Sequence, residues 1–99
     1  MKRPPQIKIN RFQLNFLLDD EQKDFFDSVI ASNVFCSQCE GICKEGITIN
    51  EISLTDLNDI LVKGTCNTCK GKVARMIEFG EDKAFYERAT DFRNSIRNQ

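Results

Sequence analysis

Histidine is absent from the chain, tryptophan is absent too, and there are only two prolines and one tyrosine. Without histidine the usual general base near pH 7 is missing, and so are the Ser-His and Cys-His nucleophile pairs and every His-containing zinc site. That closes most enzymatic readings. Long apolar runs are missing as well: Phe16-Leu17-Leu18 is among the longest, far short of the roughly 20 residues that cross a bilayer. The start, Met1-Lys2-Arg3-Pro4-Pro5-Gln6, leads into a stretch interrupted by polar residues rather than the apolar core of an export signal. These features predict a soluble, cytoplasmic protein that does not engage a membrane. A strong charge of one sign is also lacking, since 14 basic residues stand against 15 acidic ones, which excludes a histone-like polycation and a disordered acidic tail.

What remains is one domain of 99 residues, 40% hydrophobic. A fold this small buries only about 60 to 65% of the surface its unfolded chain exposes, so a metal or covalent staple is useful. Charge is segregated along the chain: residues 1–18 carry +4, 19–60 carry −8, 61–77 carry +4 and 78–99 carry −1. If the two basic segments meet in space, the surface is dipolar.

In residues 1–18, a basic arm, Ile7 and Ile9, then Phe12, Leu14 and Phe16, alternate, which predicts a strand with a bulge near Asn10-Arg11. Asp19, Asp20 and Glu21 open a predicted helix over 20–32, with Phe25, Phe26, Val29 and Ile30 at helical spacing. The cluster Asp19, Asp20, Glu21 and Asp24 is read as dipole compensation rather than as paired catalytic carboxylates. Ile47-Thr48-Ile49 predicts a short strand. Leu54, Leu57, Ile60 and Leu61 predict a short helix over 55–63, capped by Thr55 and closed by Gly64. Val73, Ile77 and Phe79 favour a strand over 72–79, with one helical turn as the alternative. Phe85, Ala89, Phe92 and Ile96 form an apolar stripe over 82–97, with Arg88, Arg93 and Arg97 toward its end.

The strongest signal is a repeat. Cys36-Ser-Gln-Cys39-Glu-Gly41 and Cys66-Asn-Thr-Cys69-Lys-Gly71 share the pattern C-x-x-C-x-G, separated by residues 40–65. Two intervening residues let both sulfurs of a pair face one ion, and backbone N–H groups in the turn offset the thiolate charge. The glycine two positions on permits a left-handed exit from the turn. Two such knuckles complete a four-thiolate site in which every coordination position is filled, the pattern of a structural metal. Zinc is favoured, with iron the alternative for the same sulfur set.

These residues resemble the zinc-ribbon type of domain, in which each knuckle begins or ends a β-hairpin; the resemblance covers about residues 34–79. It implies metal binding and leaves function open, because ribbons serve transcription, translation, RNA handling and protein assembly. C-x-x-C-x-G is also similar to the knuckles of the cysteine-rich region of DnaJ-type chaperones. The second glycine of that repeat is replaced here by Cys43 and Val73, so chaperone function is not carried over.

Cys43 lies four residues past Cys39. It could replace one of the four ligands, serve as a redox-active thiol that senses oxidation if exposed, or simply be buried as free cysteines usually are. Lys63, Lys70, Lys72 and Arg75 surround the second knuckle without an acid among them. They could grip nucleic-acid phosphates, or balance the −2 charge of a divalent ion held by four thiolates. The reading is therefore a small α+β domain: a zinc-ribbon-like β unit, flanking helices, and a C-terminal amphipathic helix. Its expected role is non-enzymatic, protein recognition or regulation, with a nucleic-acid partner or a Cys43-based redox sensor as alternatives. A homodimer could share either amphipathic helix.

Overall fold

A computed structural model describes residues 5–97. Lys2 and Arg3 of the basic arm lie outside the described residues. Strand β1 (Ile7–Ile9) leads into helices α1 (Arg11–Leu17) and α2 (Asp20–Ser32), followed by β2 (Phe35–Cys36), β3 (Gly41–Ile42), β4 (Ile47–Leu54), β5 (Ile60–Cys66) and β6 (Lys72–Ile77). A 3₁₀ turn (Phe79–Glu81) precedes helix α3 (Lys83–Arg97). Four strands form an antiparallel sheet in the order β1-β4-β5-β6, while β2 and β3 form a separate hairpin. The architecture is α+β, as composition and periodicity imply.

The alternation across residues 12–16 proves helical rather than extended. Asn10 does not bulge a strand; its side chain accepts from the Gln13 N–H at 2.8 Å, and the Gln13 side chain accepts from the Asn10 N–H at 2.8 Å. This reciprocal cap sets the start of α1, so Leu14 and Leu17 turn inward while Phe12 and Phe16, four apart, share an exposed face. Asp19 and Gln22 repeat the device for α2, at 2.7 and 3.1 Å. Arg88 of α3 then donates to the Leu17 carbonyl at 2.8 Å and to Gln22 at 2.9 Å, fixing the third helix on the junction of the first two.

The helix expected over 55–63 is instead a tight turn followed by a strand. Thr55 caps nothing helical: its Oγ1 accepts from the N–H groups of Leu57 (3.3 Å) and Asp59 (3.0 Å), and its own N–H donates to the Asp59 carbonyl at 2.8 Å. Asn58, at φ 62°, takes the left-handed position that closes the hairpin. From Ile60 onward, Ile60, Val62, Gly64 and Cys66 are buried in alternation, the period of a strand. Gly64 ends no helix. A Cβ there would lie 2.4 Å from the Thr48 carbonyl oxygen on the paired strand β4, so glycine permits the close approach of the two strands. Residues 72–77 form the strand favoured over the helical alternative. The bulge in this sheet sits between Ile49 and Glu51.

One face of the sheet, including Ile9, Ile52, Leu54, Ile60, Val62 and Ile77, packs on Leu14, Leu17, Phe26, Phe79, Phe85 and Ala89. The expected stripe of α3 holds for Phe85 and Ala89, which are fully buried, while Phe92 is half-buried and Ile96 exposed. No helix among the described residues is long and apolar enough to cross a membrane.

Candidate metal centre

Both knuckles occupy hairpin turns. The first joins β2 to β3, with Phe35 opposite Ile42 and Cys36 opposite Gly41. The second joins β5 to β6: the Cys66 N–H donates to the Gly71 carbonyl at 2.8 Å, and the Lys70 N–H to the Cys66 carbonyl at 2.8 Å. The left-handed residue in each is the one directly after the second cysteine, Glu40 at φ 56° and Lys70 at φ 66°. The sequence places that conformation on the following glycine; the backbone uses it one residue earlier, which is what tightens both turns alike. Gly71 has a different reason to be glycine. A Cβ at that position would meet the Gln38 side chain at 2.4 Å and the Cys69 Sγ at 3.3 Å, where the two knuckles approach. A Cβ on Gly41 would meet open space.

Cys36, Cys39, Cys66 and Cys69 converge, with all four sulfurs within 4.8 Å of one another. Across the knuckles Cys36 lies 3.4 Å from Cys69, and Cys39 lies 3.9 Å from Cys66. A tetrahedron with metal–sulfur bonds near 2.3 Å has sulfur–sulfur edges of about 3.8 Å, so the donor set fits one ion by both spacing and chemistry. Cys36 and Cys66 are buried, Cys69 is half-buried and Cys39 faces solvent. The group thus sits at the surface with one exposed lip.

The knuckles are matched electrostatically as well as in sequence. The Cys39 backbone N–H, aided by the Cys69 thiol, holds Cys36 below the ordinary thiol range against the effect of burial. Cys66 is lowered to about 6, first by the Cys69 backbone N–H and then by that of Thr68, again against burial. The second cysteines go the other way. Cys39 is pushed up to about 12, chiefly because its thiol hydrogen-bonds to Cys69, with burial adding to the shift. The Gly71 N–H, 3.4 Å from Cys69 Sγ, pulls Cys69 down, but its hydrogen bond to Cys36 and its burial leave it raised. Each knuckle's first cysteine is therefore the readier thiolate, a consequence of N–H groups aimed back into the turn.

Cys43 stands outside the converging four. It is 2% exposed and packs with Val34, Cys36, Cys66 and Val73. Burial, then its hydrogen bond to Cys66, pushes its thiol up to about 12. The exposure that a sensor thiol needs is absent at this position. Among the basic residues, Lys63 and Lys72 share the outer sheet face, Lys70 is exposed on the knuckle turn, and Arg75 falls on the opposite face, paired with Val62. Lys63 and Lys8 flank Glu51, at 3.9 and 3.3 Å, so the two basic segments meet around an acid. The four cations do not form one patch.

Two features escaped the sequence reading. Asn67 accepts from the Thr48 hydroxyl at 2.8 Å and donates to the Glu45 carbonyl at 3.1 Å, tying the second knuckle to the loop before β4. Its place directly after Cys66 was the only available signal. Phe35 and Ile42, cross-strand neighbours on the first hairpin, are 60% and 42% exposed. A scan against protein-family models, a search of curated proteins and a search of solved structures each return no match.

Proposed function

We propose that the chain is a non-enzymatic, zinc-ribbon-like module in which one structural zinc ion joins two hairpins to make a rigid surface for protein recognition or regulation. The observation that carries this reading is the convergence of four cysteine sulfurs within 4.8 Å. Four thiolates fill a tetrahedral zinc and leave it no open position for substrate, which favours a structural over a catalytic ion. The position of each knuckle at a hairpin turn supports the ribbon resemblance. Zinc is preferred to iron because it needs no redox partner, although a four-thiolate set accommodates both.

Protein recognition is supported by the exposed Phe35–Ile42 pair on the metal-held hairpin, since paired apolar side chains on a rigid turn suit a protein contact. The nucleic-acid alternative lacks a continuous basic face, because Arg75 lies on the other side of the sheet from Lys63 and Lys72. Native mass spectrometry of chain purified without added metal tests the reading. One zinc per chain is expected, and replacing it with cobalt should give the intense charge-transfer absorption of a tetrahedral thiolate complex. Chain that carries no metal and does not take up cobalt would overturn the proposal.

A further inference from the structure

The first hairpin carries a fifth sulfur to the same centre. The Cys43 N–H donates to the Val34 carbonyl at 2.8 Å, which carries the β2–β3 pairing one residue pair beyond Phe35 and Ile42. Strand alternation then sorts the side chains. Phe35 and Ile42 face outward and are exposed, while Val34, Cys36 and Cys43 take the other face and are buried. There Cys43 packs in one cluster with Cys36 and Cys66, and its sulfur hydrogen-bonds to both.

The second knuckle is fixed to the same point. The Gly46 N–H donates to the Cys43 carbonyl at 3.1 Å, and the Asn67 N–H donates to the Gly46 carbonyl at 3.1 Å. Cys43 is thus tied, through Gly46, to the residue directly after Cys66, at the junction of the two hairpins. The four converging cysteines differ in access. Cys36 and Cys66, which Cys43 touches, are 1% and 0% exposed, whereas Cys39 is the member that faces solvent. A reagent or competing ligand arriving from water therefore meets Cys39 first.

We propose that Cys43 is a reserve ligand: when Cys39 is lost from the four-thiolate set, Cys43 completes a second set with Cys36, Cys66 and Cys69. The inference rests on the metal-holding reading above, and Cys36 and Cys66 belong to both sets. Charge favours the exchange. A divalent ion keeps four thiolates and the same −2 total, the Cys43 thiol giving its proton to solvent as it binds. The replacement sulfur also comes from the dry side of the site, where attraction between ion and thiolate is less screened than at the exposed lip.

The test uses the full chain and cobalt, whose thiolate charge-transfer absorption grows with each sulfur bound. Cys39→Ala should take up one cobalt with the four-thiolate intensity of the unaltered chain. Cys39→Ala/Cys43→Ala should fall to about three-quarters of that intensity, three sulfurs in place of four, and bind cobalt at least about tenfold more weakly. A second arm starts from folded, zinc-loaded chain and one equivalent of iodoacetamide. Alkylation forms a C–S bond at Cys39 and expels iodide, so that sulfur is no longer a thiolate. Native mass spectrometry, with peptide mapping to place the label, should find zinc retained on the alkylated chain and released when Cys43→Ala is treated alike. A three-thiolate spectrum in Cys39→Ala whether or not Cys43 is present, or zinc lost on alkylation with Cys43 in place, would overturn the proposal while leaving the metal reading intact. Failure of the unaltered chain to take up cobalt would overturn both.

Discussion

The two ends of the sheet are held by different means. At the helical end, 14 buried side chains, three of them phenylalanines, form one continuous core. At the cysteine end the buried cluster is Val34, Cys36, Cys43, Cys66 and Val73, three of the five being cysteines. Burial of apolar area at about 25 cal/mol per Å² can hold the first end. It cannot hold the second, where β2 and β3 are two residues each and an isolated short hairpin is at best marginal in water. The lesson is a division of labour within one small chain: apolar packing stabilises one end, and convergent thiolates stand where packing runs out.

The sharpest way to break this comparison is metal removal. In small structural zinc sites the apparent binding energy is on the order of 10 kcal/mol or more and is effectively folding energy. Chelation, or Cys66→Ser, should abolish hydrogen-exchange protection in residues 34–43 and 65–73 while β4 and the helices keep much of theirs. Uniform loss across the chain would show that the two ends fold as one unit. Acid should act in the same direction, because the ligands must be thiolates: metal affinity falls as pH falls, readable as zinc release to a chromogenic chelator.

Next in size is truncation of the helical core. Phe85 is fully buried against Phe79, with ring centroids 5.3 Å apart. Phe85→Ala should cost about 3 to 5 kcal/mol in denaturant unfolding, leaving cobalt absorption in the folded protein unchanged. Gly64→Ala is expected to cost about 1 to 3 kcal/mol by forcing apart β4 and β5. It is the variant that should trouble both ends, because β5 carries Cys66. Asp19→Ala removes the cap of α2 for about 1 kcal/mol. Smallest is Lys63→Ala, where an exposed pair with Glu51 at 3.9 Å is worth under about 1 kcal/mol in thermal denaturation.

Where residue type and local spacing coincide with their consequence, the fold was readable in advance. The doubled C-x-x-C pattern picked out the four sulfurs that converge; α2, α3 and β6 followed from acidic caps and apolar period. The misread segments failed for identifiable reasons. Phe12, Leu14 and Phe16 alternate, yet only Leu14 is buried, and the Asn10–Gln13 cap decides for a helix. Leu54, Leu57, Ile60 and Leu61 recur at helical spacing, but Leu57 is exposed on a turn and Ile60 begins a central strand paired on both sides. Periodicity cannot distinguish these cases when a short apolar run meets a turn.

The amino-acid order alone determined which atoms could meet an ion: four thiolates, no imidazole, and turns short enough to aim their N–H groups at sulfur. Only the tertiary structure decided that Cys43 sits behind the site, that Arg75 leaves the other cations, and that Arg93 is buried at the far end. The reason is physical. Ligand spacing within a turn is a local property of a few bonds, whereas the face a side chain takes and the charges it meets depend on strand register and helix docking between residues far apart in the chain.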